Sequence, residues 1–179
     1  MKVAYISTPH FADCDIPLVG ELQKKSDVFY FLKVSDSTKR LTLIKIDSLN
    51  KRGGVYPASD FPEIAYLSAD IDLSKTYIVN LPGKHDWSLC NLLAIFRMVC
   101  FILHLNVNIV HLTWPPRYGE FFTYLLRKRT VITMHDPLPH SSEDAWLNRF
   151  HRNVCFRLLD TFILLNDIQK KSFIEAYHM

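Results

Sequence analysis

Short apolar runs alternate along this chain with longer segments of helical period. The clearest case lies between residues 107 and 135, where apolar runs over 107–113 and 130–135 flank a segment of helical period over 117–128. Apolar runs of this length are typical of strands that are buried on both faces. The segment between them is long enough for a crossover connection, so the pattern predicts strand, helix and strand in a parallel sheet.

The same alternation extends over most of the chain. It predicts further strands over residues 2–8, 28–34, 41–46, 76–81 and 161–165. It predicts further helices over residues 15–25, 86–105, from Ser141 or Ser142 to about Leu159, and from Asn166 or Asp167 to Tyr177. Residues 50–75 contain Gly53, Gly54, Pro57 and Pro62, which mark turns. The fold class we predict is α/β, a Rossmann-like three-layer α/β/α sandwich with a mostly parallel twisted sheet, formed by residues 1–179 as one domain.

Composition and charge exclude several classes of protein. The chain is 49 % apolar, which is ample for a packed core. Its net charge is +3 and no block of like charge exceeds three residues, so we expect no binding to nucleic acid. The four cysteines form no C-x-x-C pair, which favours reduced thiols in the cytoplasm. An apolar strand directly after Lys2 predicts a chain without a signal peptide.

The predicted helix over 86–105 is apolar on nearly all of its faces. Asp86, Arg97 and His104 fall on one narrow stripe of it. Such a helix is usually covered both by the sheet and by a neighbouring element. The alternative is a surface that meets a membrane or another domain. With the basic residues at 127–129 it permits peripheral contact with the inner face of the membrane, although 127–129 also suit the helix dipole.

Polar and aromatic residues follow three of the predicted strands. Ligands bind at the carboxyl ends of the strands in parallel sheets, so we expect these side chains to line one crevice and contact the substrate. The mixture of aromatic faces, imidazoles and carboxylates suits a polyhydroxylated ligand, although ordinary caps and turn residues would give a similar pattern. The candidates are His10, Asp13, Trp114, Tyr118, His135, Asp136 and His140. His111 lies within its strand, and we expect it to be a hydrogen-bonded core residue.

Several common motifs are absent or weak. The first turn, residues 9–15, contains no glycine, so it cannot form the G-x-G-x-x-G cradle of NAD-dependent enzymes. The sequence also has no P-loop and no G-x-S-x-G elbow. Asp13 and Asp15 match a D-x-D metal motif, but Asp15 is better explained as the cap of the first helix. We therefore expect no bound metal.

The chain resembles the N-terminal half of GT-B glycosyltransferases of the family 4 type. The matching segments are the first strand over 2–7, a "D-I-V-H" strand over 108–112, a "v-x-T-x-H-D" strand over 131–136 and a "D-x-i-i-x-x-S" strand over 160–166. In that family the N-terminal half mainly binds the acceptor and the C-terminal half binds the nucleotide sugar. The resemblance implies transfer of a sugar from a nucleotide-sugar co-substrate to a glycan or lipid-linked acceptor, with retention at the anomeric carbon and without a metal or other cofactor.

The resemblance also implies one residue role. The histidine of the "T-x-H-D" strand, here His135, reaches the transferred sugar near the reaction centre and is the expected catalytic residue. Two features depart from the family: Phe11 to Cys14 replace glycines that contact the donor phosphate, and the C-terminal pair of glutamates is absent. We therefore expect an acceptor-binding domain that is inactive without a C-terminal nucleotide-sugar domain. The alternatives are a stand-alone binding or scaffolding module, and a GT-B epimerase or other nucleotide-dependent enzyme.

Overall fold

A computed structural model describes residues 1–49, 52–116, 118–135 and 146–177. Within these residues one seven-stranded sheet has the order β3-β4-β2-β1-β5-β6-β7. All neighbouring strands run parallel except β3, which pairs antiparallel with β4. The strands are β1 (Lys2–Ser7), β2 (Asp27–Ser35), β3 (Gly54–Pro57), β4 (Thr76–Leu81), β5 (Ile109–Leu112), β6 (Thr130–Met134) and β7 (Phe162–Leu164). The predicted Rossmann-like α/β fold with a mostly parallel sheet is confirmed.

Helices cover both faces of the sheet. The α-helices are α1 (Ala12–Gln23), α2 (Leu89–Leu105), α3 (Trp146–Leu158) and α4 (Ile168–Tyr177). Shorter 3-10 segments are Pro9–Phe11, Ala58–Asp60, Pro62–Ala69 and Leu73–Lys75, and a longer one, Tyr118–Arg129, is the 118–129 helix. One core cluster joins α1 and Pro62–Ala69 to the sheet, and a second joins α2, the 118–129 helix, α3 and α4 to its other face.

The order of the strands creates a crevice between β1 and β5. The chain leaves β1 toward β2 on one side of the sheet, whereas β5 and β6 follow on the other side. Tyr5 on β1 pairs in register with Tyr30 on β2 and His111 on β5. Because the connections diverge at this point, the carboxyl ends of β1 and β5 mark the switch point at which α/β sheets bind ligands.

Residues 41–46 do not form the strand that their apolar alternation predicts. Thr42 has a φ of 52°, in the left-handed region, and its hydroxyl donates to the Pro9 carbonyl at 2.6 Å. Ile44 and Ile46 are fully buried, but their N–H groups bond within local turns. The alternation therefore reflects burial beside the sheet. The strand at this edge of the sheet is β3, in the segment where the sequence indicated turns.

The first and second helices begin at positions that differ from the predictions. The turn Pro9–Phe11 lets α1 begin at Ala12, so Asp15 lies inside the helix and does not cap it as expected. Helix α2 begins at Leu89 because the Asn91 amide holds the preceding loop, accepting from Gly83 N at 2.9 Å and donating to Gly83 O at 3.2 Å. It ends at Asn106, whose φ of 49° is the left-handed conformation that asparagine tolerates.

Candidate functional site

Three aromatic rings from three strand-to-helix turns stack at the β1–β5 crevice. Phe11 follows β1, and its ring lies 4.3 Å from the His135 ring at an interplanar angle of 10°. The Phe11 ring also stacks on Trp114, which follows β5. The two ring centroids are 5.9 Å apart and the interplanar angle is 24°. All three side chains are half-buried. The structure therefore brings Trp114 and His135 into one cluster, as the sequence predicted, but joins them through Phe11.

Phe11 was not among the predicted binding residues. The sequence showed only that the first turn has no glycine, and a glycine-free turn says nothing about where its side chains lie. The 3-10 turn Pro9–Phe11 follows β1 directly, and the Phe11 ring occupies the space between the other two turns. An aromatic ring so close to the end of β1 is the one signal in the sequence that could have indicated this cluster.

A buried carboxyl group lies beside the aromatic cluster. Asp15 is 3 % exposed, and Tyr5 Oη donates to its Oδ1 at 2.8 Å. Its Oδ2 is buried and has no hydrogen-bond partner among the described residues. Burial raises the pKa of Asp15 above its ordinary value, while the hydroxyls of Ser7 and Tyr5 and the charge of nearby His135 act in the opposite direction. Asp15 thus lies inside α1, next to the candidate site, and is not the cap that the sequence suggested.

Hydroxyl and imidazole groups extend from this carboxyl across the sheet. The hydroxyls of Ser7 and Tyr30 lie 3.2 Å apart, and the Tyr5 ring meets the His111 ring edge-on at 4.5 Å. His111 Nε2 lies 2.7 Å from Thr133 Oγ1, which confirms the predicted hydrogen-bonded histidine. Burial and the nearby His135 lower the pKa of His111 to about 4, so this imidazole is neutral at pH 7. Burial also raises the pKa of the tyrosines at 5 and 30, which keeps their hydroxyls as proton donors.

His135 has one ring nitrogen without a hydrogen-bond partner in the described part of the chain. Its Nε2 is buried and makes no hydrogen bond among the described residues. Buried polar atoms are nearly always hydrogen-bonded, so an unpaired nitrogen at a sheet edge is a place for a ligand hydroxyl or for a water molecule. The stacked Phe11 ring restrains the imidazole on one face, and the buried Asp15 carboxyl lies near it. The arrangement can hydrogen-bond a sugar hydroxyl and stabilise charge beside it.

The other predicted residues have different positions. His10 lies in the first turn and is exposed. Asp13 is also exposed, and its carboxylate accepts from Cys14 N at 3.1 Å in the first turn of α1, where it complements the helix dipole. Tyr118 begins the 118–129 helix, but its side chain is outside the described part of the structure, and so are Asp136 and His140. In the described ranges, no group of three or more His, Cys, Asp or Glu residues could hold a metal ion.

One buried ion pair was not expected from the sequence. Lys33 Nζ on β2 lies 2.8 Å from both carboxylate oxygens of Glu120, which belongs to the 118–129 helix. Both residues are 8 % exposed. A single lysine in an apolar strand gives no indication of its partner, because that partner is supplied by a connection far along the chain. The pair ties the 118–129 helix to β2 across the face of the sheet opposite α1.

Comparison with known proteins supports the fold. No family model matches the chain, and no curated protein sequence matches it. Among solved structures it is similar to UDP-N-acetylglucosamine 2-epimerase from Rickettsia bellii, with a TM-score of 0.60 and 9 % sequence identity. The similarity covers 98 % of this chain and 42 % of that chain. The domain is therefore Rossmann-like and corresponds to one half of a GT-B-like epimerase, and at this identity the likeness shows the fold alone.

Proposed function

We propose that this chain is the acceptor-binding half of a GT-B glycosyltransferase that transfers a sugar from a nucleotide-sugar donor to a glycan or lipid-linked acceptor. The observation that supports it most is the stack of Trp114, Phe11 and His135 in the β1–β5 crevice, where His135 Nε2 has no hydrogen-bond partner among the described residues. Aromatic rings pack against the C–H faces of sugars, and an unpaired imidazole nitrogen is a partner for a sugar hydroxyl.

In this proposal His135 contacts the transferred sugar, and Asp15 acts on the sugar only through His135. The imidazole hydrogen-bonds the sugar and stabilises charge at the reaction centre, in a retaining transfer that uses no metal. Asp15 is a positioning residue, because it is buried beside the imidazole and is itself held by Tyr5. His10 and Asp13 lie in the first turn, from which their exposed side chains are available to the acceptor.

The nucleotide is assigned to a second domain. A pyrophosphate binds where glycine lets it approach the backbone at the N-terminus of a helix. Here the first turn carries Phe11, whose ring contacts the two other turns. In this proposal the domain therefore binds the acceptor and the transferred sugar, and the second domain binds the nucleotide.

A second candidate function is epimerisation of a nucleotide sugar. The likeness to the Rickettsia bellii epimerase, with a TM-score of 0.60 over 98 % of this chain, favours it. An epimerase inverts one carbon of the sugar and needs no acceptor, whereas a transferase releases the nucleotide only as the acceptor is consumed. The two activities are therefore distinguished by their products.

The test uses the natural protein, whose intact mass is measured first. It is then incubated with UDP- and GDP-sugars, with and without lipid extract as a source of acceptor, and its products are identified by mass spectrometry. We expect release of nucleotide that depends on the acceptor. The variant His135→Ala should lose about 10² or more of this rate with an unchanged circular dichroism spectrum. His85→Ala, which changes an exposed loop residue, is the matched control.

The remaining outcomes separate the alternatives. An epimerised sugar nucleotide formed without acceptor would replace the transferase proposal with the second candidate. Full activity of His135→Ala would remove the assigned role of the imidazole. A natural protein with the mass of this chain and without turnover or sugar binding would indicate a stand-alone scaffolding module.

A further inference from the structure

Helix α2 presents apolar side chains on two faces. One face packs on the sheet through Ile95, Met98, Val99 and Ile102. The outer face exposes large apolar side chains at regular helical spacing, namely Leu89, Leu93, Phe96 and Leu103, which are 42–72 % exposed. The hydropathy pattern predicted a helix that is covered on both sides. In the structure only the face toward the sheet is covered, and the outer face is exposed. None of the described helices is long and apolar enough to cross a membrane.

The neighbouring 118–129 helix extends this surface. The Phe96 and Phe122 rings are 5.1 Å apart, so the two helices are in contact. The loop before α2 also touches the 118–129 helix, because a Cβ at Gly119 would be 2.0 Å from Asp86 O. Phe121 and Leu125 are exposed on the outer side. The apolar helix face consists of Trp87, Leu89, Leu93, Phe96, Leu103, Phe121 and Leu125. Seven large apolar side chains on one side of a domain of this size indicate an interaction surface.

The charges around the apolar helix face are mainly positive, with the exposed Asp86 at the end next to Trp87. Between residues 87 and 134 the only acidic residue is Glu120, which is buried against Lys33. The same stretch contains five basic residues, of which Arg127, Lys128 and Arg129 are exposed at the end of the 118–129 helix. Arg129 donates to the carbonyl of Val107 at 2.8 Å, so this basic group lies at the C-terminal end of α2. Among the described residues no carboxylate forms an ion pair with these three.

We propose that the apolar helix face docks on an anionic membrane surface, with the basic group at 127–129 against the lipid headgroups. Aromatic and aliphatic side chains enter the headgroup region, and each basic residue near the surface adds attraction. A second copy of the chain fits less well, because its face would bring the same excess of positive charge. This proposal is independent of the function proposed for the β1–β5 crevice.

The test measures cosedimentation of the natural protein with vesicles of phosphatidylcholine, alone or mixed with phosphatidylglycerol. We expect binding to the mixed vesicles that weakens as salt is raised to about 0.15 M, where the Debye length is about 8 Å. Arg127→Gln with Lys128→Gln should weaken binding roughly thirtyfold. Leu93→Gln should weaken it roughly tenfold.

Matched controls lie on α1, on the opposite face of the sheet. Leu18 is 45 % exposed, close to the 44 % of Leu93, so Leu18→Gln should leave binding unchanged. Lys24→Gln with Lys25→Gln removes another adjacent basic pair at a helix end and should also have no effect. Circular dichroism verifies the fold of each variant.

Three results would overturn the proposal. The first is the absence of binding to the mixed vesicles by the unaltered protein. The second is equal loss of binding in the α1 controls. The third is a dimer in sedimentation velocity that Leu93→Gln dissociates, without vesicle binding, which would assign the apolar helix face to a second copy.

Discussion

The ring of Phe11 lies flat on the imidazole of His135, with the ring centroids 4.3 Å apart and the planes 10° from parallel. The two residues come from the turns after β1 and β6, which are separated in the sheet by β5. Parallel stacking at this distance restrains the imidazole and shields one of its faces. The aromatic residue of the first turn therefore controls access to the histidine that we assign to the sugar.

Replacing Phe11 by Ala should expose His135. An aromatic pair contributes about 0.5–1.5 kcal/mol, so loss of the stack should increase opening of the site roughly tenfold. The rate at which diethylpyrocarbonate modifies His135, followed by peptide mass spectrometry, measures this opening. Exposed His10 is the internal control and should react equally in both proteins. Equal rates at His135 would mean that the Phe11 ring does not shield it.

Replacing Asp15 by Asn should stabilise the domain at pH 7. Burial raises the pKa of Asp15 above the unfolded value of about 3.9, so the folded state resists its charged form. The wild-type protein therefore loses stability, relative to the variant, as pH rises from about 4 through the folded pKa. Urea unfolding at several pH values measures the difference.

The same substitution should reduce sugar transfer by the natural protein, because Asn carries no charge to act on His135. A gain in stability with a loss in rate is typical of a strained functional residue. Asp13→Asn, at the exposed neighbouring carboxylate, is the control and should change neither property. A variant at Asp15 that is less stable at pH 7 would show that the charged carboxylate is favoured.

His111 should make stability fall at acidic pH. Its folded pKa of about 4 lies below the unfolded value of about 6.5, so protonation favours the unfolded chain. Its contribution is complete above about pH 6.5 and is lost as pH falls toward 4, by roughly 3 kcal/mol in total. His111→Gln retains an amide for Thr133 and should flatten this part of the pH profile in urea unfolding. Exposed His104→Gln should not alter it, and an unaltered profile for His111→Gln would contradict the prediction.

Removing one partner of the Lys33–Glu120 pair should lower the free energy of unfolding far more than removing both charges. Glu120→Gln alone leaves a buried ammonium group without its partner, at a cost of about 3–5 kcal/mol. Lys33→Met with Glu120→Met removes both charges and should recover most of that loss. Denaturant unfolding of Lys33→Met, Glu120→Met and the double variant gives the coupling energy. The exposed pair Glu21–Lys24 is the control, for which Glu21→Gln should cause no measurable change. Additive losses in the double variant would show that the charges do not interact.

The sequence determined the class of the fold and predicted that two of the candidate residues lie together. Strand and helix periods are local, so the runs over 107–113 and 130–135 indicated β5 and β6 without any knowledge of their neighbours. A parallel sheet then places the ends of those strands together, which brought Trp114 and His135 to one crevice. The local pattern wrongly predicted a strand at residues 41–46. The apolar side chains there are buried, but the backbone does not pair with a strand.

Only the tertiary structure decided what surrounds these residues. A helix turns by about 100° per residue, so the start of α1 at Ala12 directs Asp15 toward Tyr5 instead of leaving it at the helix end. Likewise Phe11 meets His135, and Lys33 meets Glu120, only when separate connections pack on the sheet. These contacts join residues that are distant along the chain, and their geometry depends on register and packing, which no local pattern records.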